Sequence, residues 1–168
     1  LFILAAVLGA YTGFLLSALI SYPMLNNPVL PALFLASGTS SGIAATFLFI
    51  LIAGKLKGDS HESHFIHKFE VPIMVTELGL LVCFFVGLYF GGGQKVVALQ
   101  NALSGFWGAV FWIGVFLIGI LIPLLANLAV KDNLKYNKNF IILVSIFDLI
   151  GVLCLRYFIL YAGQLTVA

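Results

Sequence analysis

Charge is what this sequence has least of. Its 168 residues hold eight Lys+Arg and six Asp+Glu, 8% charged in all, against 62% hydrophobic. Soluble domains carry about a quarter charged residues, so a globule of this composition has too little polar surface to face water. The small positive excess is too slight to point to nucleic acid. Cysteine is nearly missing too. Cys83 and Cys154 lie in apolar stretches, outside any C-x-x-C pair, and support neither a disulfide framework nor an iron–sulfur site. Histidine is absent from the hydrophobic interior: His61, His64 and His67 all sit in or beside one polar connection. A di-haem b subunit needs axial histidines inside its helices, so such haems are not expected here. His61-Glu62-Ser63-His64 is not H-E-x-x-H, whose ligands stand four apart, and no metal is expected. Gly91, Gly92 and Gly93 precede no Walker lysine-serine pattern. No initiating Met or basic n-region with a cleavage site opens the chain, which reads as a piece of a longer protein.

What the sequence has in abundance is long apolar runs, with a mean hydropathy of +1.18. A helix needs about 20 mostly apolar residues to cross a bilayer. Five segments qualify, 1–22, 30–53, 67–90, 104–130 and 138–163, here spans A to E. The expectation is an all-α integral membrane protein. Residues 1–168 form a single domain, a bundle of about five transmembrane helices within a larger subunit. The connectors are 23–29, 54–66, 91–103 and 130–137. The runs are continuous, whereas barrel strands alternate over about ten residues.

The lysines orient the bundle. Lys55, Lys57, Lys68, Lys131, Lys135 and Lys138 fall at the B–C and D–E connections. The A–B connection and the C-terminus have no Lys or Arg, and the C–D connection has only Lys95. Positive-inside asymmetry places B–C and D–E in the cytoplasm and the C-terminus in the periplasm of a multi-pass inner-membrane protein.

Small residues mark packing faces. Gly9 and Gly13 in span A, and Gly38 and Gly42 in span B, make small-xxx-small pairs, which let helix backbones approach closely in lipid. Span B is the richest in small residues, from Ala36 through Ser37, Gly38, Thr39, Ser40, Ser41 and Gly42 to Ala44 and Ala45. It is expected in the bundle interior.

Ionisable groups within a membrane are costly unless paired or wetted, so each is a functional candidate. There are four: Glu70 and Glu77 in span C, Asp148 and Arg156 in span E. Glu70 and Glu77 share one helical face, with Glu70 near the cytoplasmic interface. Glu77 and Asp148 both lie about 15 Å in from the cytoplasmic end. Two readings stand: an Asp148–Arg156–Glu77 network fastening C to E, or a proton path into a redox or transport site. Tyr11, between Gly9 and Gly13, needs a hydroxyl partner, which is a neighbouring helix or the carbonyl of a bound quinone.

The stretch Tyr11-Thr12-Gly13-Phe14-Leu15-Leu16-Ser17 is followed by Asn26-Asn27-Pro28-Val29-Leu30-Pro31, Leu33-Phe34-Leu35-Ala36-Ser37-Gly38 and Ser41-Gly42. Together these resemble the NrfD-type membrane subunit of polysulfide-reductase-like complexes. Leu155-Arg156-Tyr157 and Tyr161-Ala162-Gly163-Gln164 are similar to that family's C-terminal signature. Leu25 stands where members often have Trp. The resemblance implies a quinone-reactive anchor, commonly of eight or more helices, of which these five would be the last. It implies quinone or menaquinone as substrate, no haem, and a ferredoxin-like iron–sulfur subunit at the membrane face. Beyond that subunit it implies a catalytic subunit, a molybdopterin enzyme or a multihaem cytochrome. This chain would then be an electron-transfer subunit of an oxidoreductase complex in anaerobic respiration, and the catalysis would belong to its partner. Tyr11 matches the family's quinone-contacting tyrosine. The competing class is a secondary transporter or channel fragment that binds ions at Glu77 and Asp148.

Overall fold

The computed structural model describes residues 2–52, 61–129 and 138–165. Among them the regular structure is entirely helical. The elements are α1 (Phe2–Ser17), α2 (Leu30–Ile52), α3 (His61–Phe90), α4 (Gln94–Leu103), α5 (Gly105–Ala109), a π-helical segment π1 (Val110–Leu121), α6 (Ile122–Ala129) and α7 (Lys138–Gln164). α5, π1 and α6 run on as one rod. Four stretches are long and apolar enough to cross a membrane: Leu30–Ile52, Val71–Phe90, Gly105–Asn127 and Asn139–Gln164. They match spans B to E. Span A is shorter than expected, because α1 stops at Ser17, whose hydroxyl bonds back to the Phe14 carbonyl at 3.0 Å. Turns then lead to Pro23, which disfavours helix in the residue before it.

Two further boundaries differ from the sequence reading. α3 begins at His61, so the helix of span C reaches back into the polar connection. The C–D connector contains α4, flanked by Gly93 at φ 54° and by extended Ser104. Its buried Ala98 and Ala102 are four apart on one face, and Gln100 and Asn101 are exposed. That pattern suits a helix lying in the membrane interface.

α2 is the hub, packing against α1, α3 and α7, as its small residues predict. Gly13 of α1 sits on the start of α2, where an added Cβ would lie 2.5 Å from Pro31 Cα. Gly9 faces Leu35, and Gly38 faces Arg156 of α7. Gly42 differs: nothing lies within 4 Å of where its Cβ would be.

The tightest seam is one the sequence reading did not single out. A Cβ on Gly119 would lie 2.6 Å from Gly151 Cα, and one on Gly114 would lie 3.0 Å from Cys154 Sγ. In a π-helix the hydrogen bonds run i→i+5, so residues five apart stack nearly over one another. Gly114 and Gly119 therefore both face α7, which an α-helical winding would not allow.

The A–B connection, the end of α3, α4 and the end of α7 gather at one end of the bundle, the Asn27 end. Asn27 Nδ2 donates to the Phe84 carbonyl at 3.1 Å, and its Oδ1 accepts from Val29 N at 3.0 Å. Lys95 Nζ donates to the Asn26 carbonyl at 3.0 Å. The one lysine at this end is thus a fastener between connections. Leu25 is buried against Gly163. Trp107 stacks on Tyr161 at 5.9 Å, and Tyr157 and Tyr161 are exposed beside it, an aromatic belt of the kind found at membrane interfaces.

The core has two apolar clusters. The larger, around Leu25, Phe34, Phe84, Phe111 and Phe158, fills the Asn27 half, and Phe47, Leu51 and Ile141 form the smaller toward Lys138. Outward side chains such as Val75, Val82, Ile113 and Leu153 are exposed and apolar, as a lipid-facing surface requires.

Candidate functional site

Between the two apolar clusters lies a polar centre, built by one residue from each of three helices. Ser40 of α2, Glu77 of α3 and Asp148 of α7 are buried, at 4%, 5% and 2% exposure. The α2–α7 contact holds Ser40 in register with Asp148, and the Ser40 hydroxyl lies 3.0 Å from each carboxyl oxygen of Asp148. Glu77 is close enough to Asp148 for their charges to interact. Ser40 and Asp148 sit near the middle of their spans.

Burying an ionised carboxyl costs several kcal/mol, and the hydroxyl of Ser40 offers a single proton to both oxygens. Two buried carboxyls that feel each other's charge are chemically suited to holding a proton. The centre forms between α2, α3 and α7 because Ser40 falls on the face of α2 that also carries buried Ser37, Ala44 and Phe47. Asp148 likewise follows buried Val144 and Ser145 on α7.

Arg156 lies elsewhere. It is eight residues beyond Asp148, about 12 Å along α7, with its guanidinium carbon 5.4 Å from the centroid of the Phe34 ring. Its Nε is buried with no hydrogen-bond partner among the described residues. The expected three-membered network therefore divides: Glu77 and Asp148 come together, while Arg156 rests on the aromatic face of α2 beside Gly38, a cation–π arrangement.

Tyr11 is 54% exposed, on a face of α1 that also bears exposed Leu8 and Phe14. Its helix packs chiefly on α2 rather than on α3 or α7, which carry the carboxyls. Glu70 lies within α3, but its side chain is outside the described residues, as are those of His61, His64 and His67. Lys55, Lys57, Lys131 and Lys135 are outside them altogether. Among the described residues no three His, Cys, Asp or Glu side chains cluster as metal ligands. An apolar cleft of about 240 Å³ opens between α3 and π1, lined by Leu78, Phe85, Phe111 and Trp112 among others. It has no polar group with which to orient a polar ligand.

The sequence reading passed over two of the polar residues as chemistry. Ser40 stood in the small-residue run and looked like packing alone. Asn127 is the sole amide side chain in residues 105–129, a signal that was available. It is 5% exposed, and neither its Nδ2 nor its Oδ1 has a partner among the described residues.

Fold and centre together define a polytopic membrane subunit that encloses ionisable groups and leaves a large apolar surface to lipid. The chain belongs to the family described as polysulphide reductase, NrfD, which matches residues 1–168. It is 90% identical over its full length to a protein named NrfD homolog from Haemophilus influenzae. It is 50% identical, over 99% of its length, to protein NrfD of Escherichia coli. Over 97% of its length it is 43% identical to the C subunit of polysulfide reductase from Wolinella succinogenes. In each case it spans 52% of the relative, about half the length of the curated relatives it matches. No solved structure matches the sequence.

Proposed function

We propose that the chain is part of a quinone-reactive membrane subunit, which exchanges electrons between the quinone pool and an iron–sulfur subunit at the membrane face. The catalytic subunit beyond is a molybdopterin enzyme or a multihaem cytochrome. Family membership supports the assignment to a redox complex, as does the similarity to a subunit named for polysulfide reductase. The observation that carries the reading further is the buried Glu77–Asp148 pair with Ser40.

Oxidation of a quinol releases two electrons and two protons. The electrons leave through the iron–sulfur partner, and the protons need acceptors that water cannot supply in a dry bundle. A carboxyl pair at mid-membrane is such an acceptor, and the same pair delivers protons when quinone is reduced. In this reading Tyr11 donates its phenolic hydrogen bond to a quinone carbonyl. Its exposed position on α1 makes it one wall of a site that the rest of the subunit completes. Menaquinone or another quinone is the substrate, and no haem or metal is held by this chain. Arg156 stabilises charge along the same path without titrating. The subunit lies in the inner membrane with the Asn27 end and the C-terminus in the periplasm, an orientation that the lysine asymmetry supports.

The test uses Glu77→Gln and Asp148→Asn in the full-length subunit with its partners. Each amide keeps shape and hydrogen bonding but removes a titratable proton. Both variants should assemble normally, and at least one should slow proton-coupled quinone turnover. Wild-type turnover in both would leave the carboxyls as fasteners and end the proton-path reading.

A further inference from the structure

We propose that Asn127 is a hydrated amide, which holds water between α6, α7 and α3 and links the Lys138 end of the bundle to the Glu77–Asp148 pair. This deepens the proton-path reading and rests on it for the purpose of the link, but the hydration itself does not depend on a quinone.

Three observations carry it. The first is the orphaned side chain: Asn127 is buried, and both of its polar atoms are without partners among the described residues. A dry amide in an apolar bundle is costly, and buried water is the usual remedy for such groups. With two N–H donors and a carbonyl acceptor, the amide suits water better than a cation or an anion. The second is placement. α6 packs on α7 and touches α3, the two helices that supply the carboxyls. The third is register. Gly119 meets Gly151 backbone to backbone, which aligns the two antiparallel helices. From that contact Asn127 lies about 12 Å toward the Lys138 end, Ser145 about 9 Å and Asp148 about 4.5 Å, at the usual helical rise. Ser145 is buried and one turn from Asp148, at an axial level between the amide and Asp148. The order is amide, hydroxyl, carboxyl pair, along the junction of three helices. These levels would offer water successive polar partners from near the Lys138 end toward the middle of the bundle.

The experiment is water-to-nitrogen magnetisation transfer by solid-state NMR, on the full-length subunit with its partners in lipid, labelled at asparagine nitrogen. The Asn127 resonance is identified by its loss in Asn127→Ser. Asn27 is the internal control, because it is buried with both polar atoms bonded to protein. Strong transfer to Asn127, and little to Asn27, is the expected result. Transfer to Asn127 as weak as that to Asn27 overturns the proposal. The link to the carboxyl pair is read separately. Asn127→Leu should slow proton transfer coupled to quinone turnover by up to about tenfold, the range that losing one bridging hydrogen bond predicts, and Asn127→Ser, which keeps a hydroxyl for water, should slow it less. Unchanged proton-coupled turnover in Asn127→Leu overturns the link. If the Leu variant does not assemble, the NMR measurement on the native protein still decides hydration. Water contact at Asn127 together with full activity of Glu77→Gln and Asp148→Asn would uphold the hydrated site and reject its place on a proton path.

Discussion

Ser40→Ala removes the hydroxyl that reaches both oxygens of Asp148, and its effect can be worked out in advance. The contact is buried on both sides and joins helices 108 residues apart in sequence. Its loss therefore acts on the α2–α7 seam rather than on either helix alone. Interhelical hydrogen bonds in membrane proteins average about 0.6 kcal/mol in double-mutant cycles and reach about 1.7. The unfolded helices also find partners in lipid, which explains the modest mean. Bonds to an ionised acceptor are roughly twice as strong as neutral ones. A cycle of Ser40→Ala and Asp148→Leu should thus give a coupling of about 1.2 kcal/mol if Asp148 accepts as a carboxylate, twice the ~0.6 expected of a neutral acid. The assay is reversible denaturation in mixed micelles, followed by helical circular dichroism, on wild type, the two single variants and the double variant. The coupling is the part of the double variant's loss that the single losses do not explain. A coupling within error of zero would refute the contact between α2 and α7, and with it the geometry of the polar centre.

Gly151→Ala should destabilise the bundle by about 1–3 kcal/mol in the same assay, since the added methyl meets Gly119 backbone, which cannot swing aside. Gly42→Ala, with open space around it, should be neutral or stabilising by up to about 1 kcal/mol, and equal losses in the two would contradict the packing described here. Tyr11→Phe should leave assembly intact and lower quinol-linked turnover by no more than about tenfold, one hydrogen bond's share of about 0.5–1.5 kcal/mol; unchanged quinol kinetics would return Tyr11 to packing alone. Topology reporters after Gly92 and after Gln164 should read the same side, because both belong to the Asn27 end, and that side should be periplasmic.

The large features were legible because lipid imposes simple rules. Runs of apolar residues named spans B to E, and the small residues of α2 correctly placed it at the hub. What stayed hidden depended on register between helices, which no single helix encodes. Ser40 looks like any small packing residue until Asp148 is brought opposite it. Asp148 and Arg156 share a helix, so they were read together; yet they stand two turns apart, and α2 meets them with a hydroxyl in one place and an aromatic ring in the other. The Gly119–Gly151 contact was invisible for a related reason. Its spacing from Gly114 signals a common face only in a π-helical winding, and an apolar run does not announce that winding. α4 was missed because ten residues with a few valines and alanines look like a connector when the search is for helices long enough to span.

The separation of Arg156 from the carboxyl pair bears on which residues fasten the bundle and which do chemistry. A buried ion pair is poor evidence for stability, because apolar residues of similar volume serve as well or better. Had Arg156 neutralised Glu77 and Asp148 directly, fastening would have accounted for all three. As the helices pack, Arg156 rests on Phe34 near Gly38, while Asp148 takes the Ser40 hydroxyl and Glu77 is buried within range of its charge. Mutual repulsion makes such a pair a weak fastener. Burying both between two apolar clusters that already hold the helices together gives the bundle little stability it does not otherwise have. Under the proposed function the arrangement is a place where a proton is held, and Asn127 with Ser145 lies toward the Lys138 end from it.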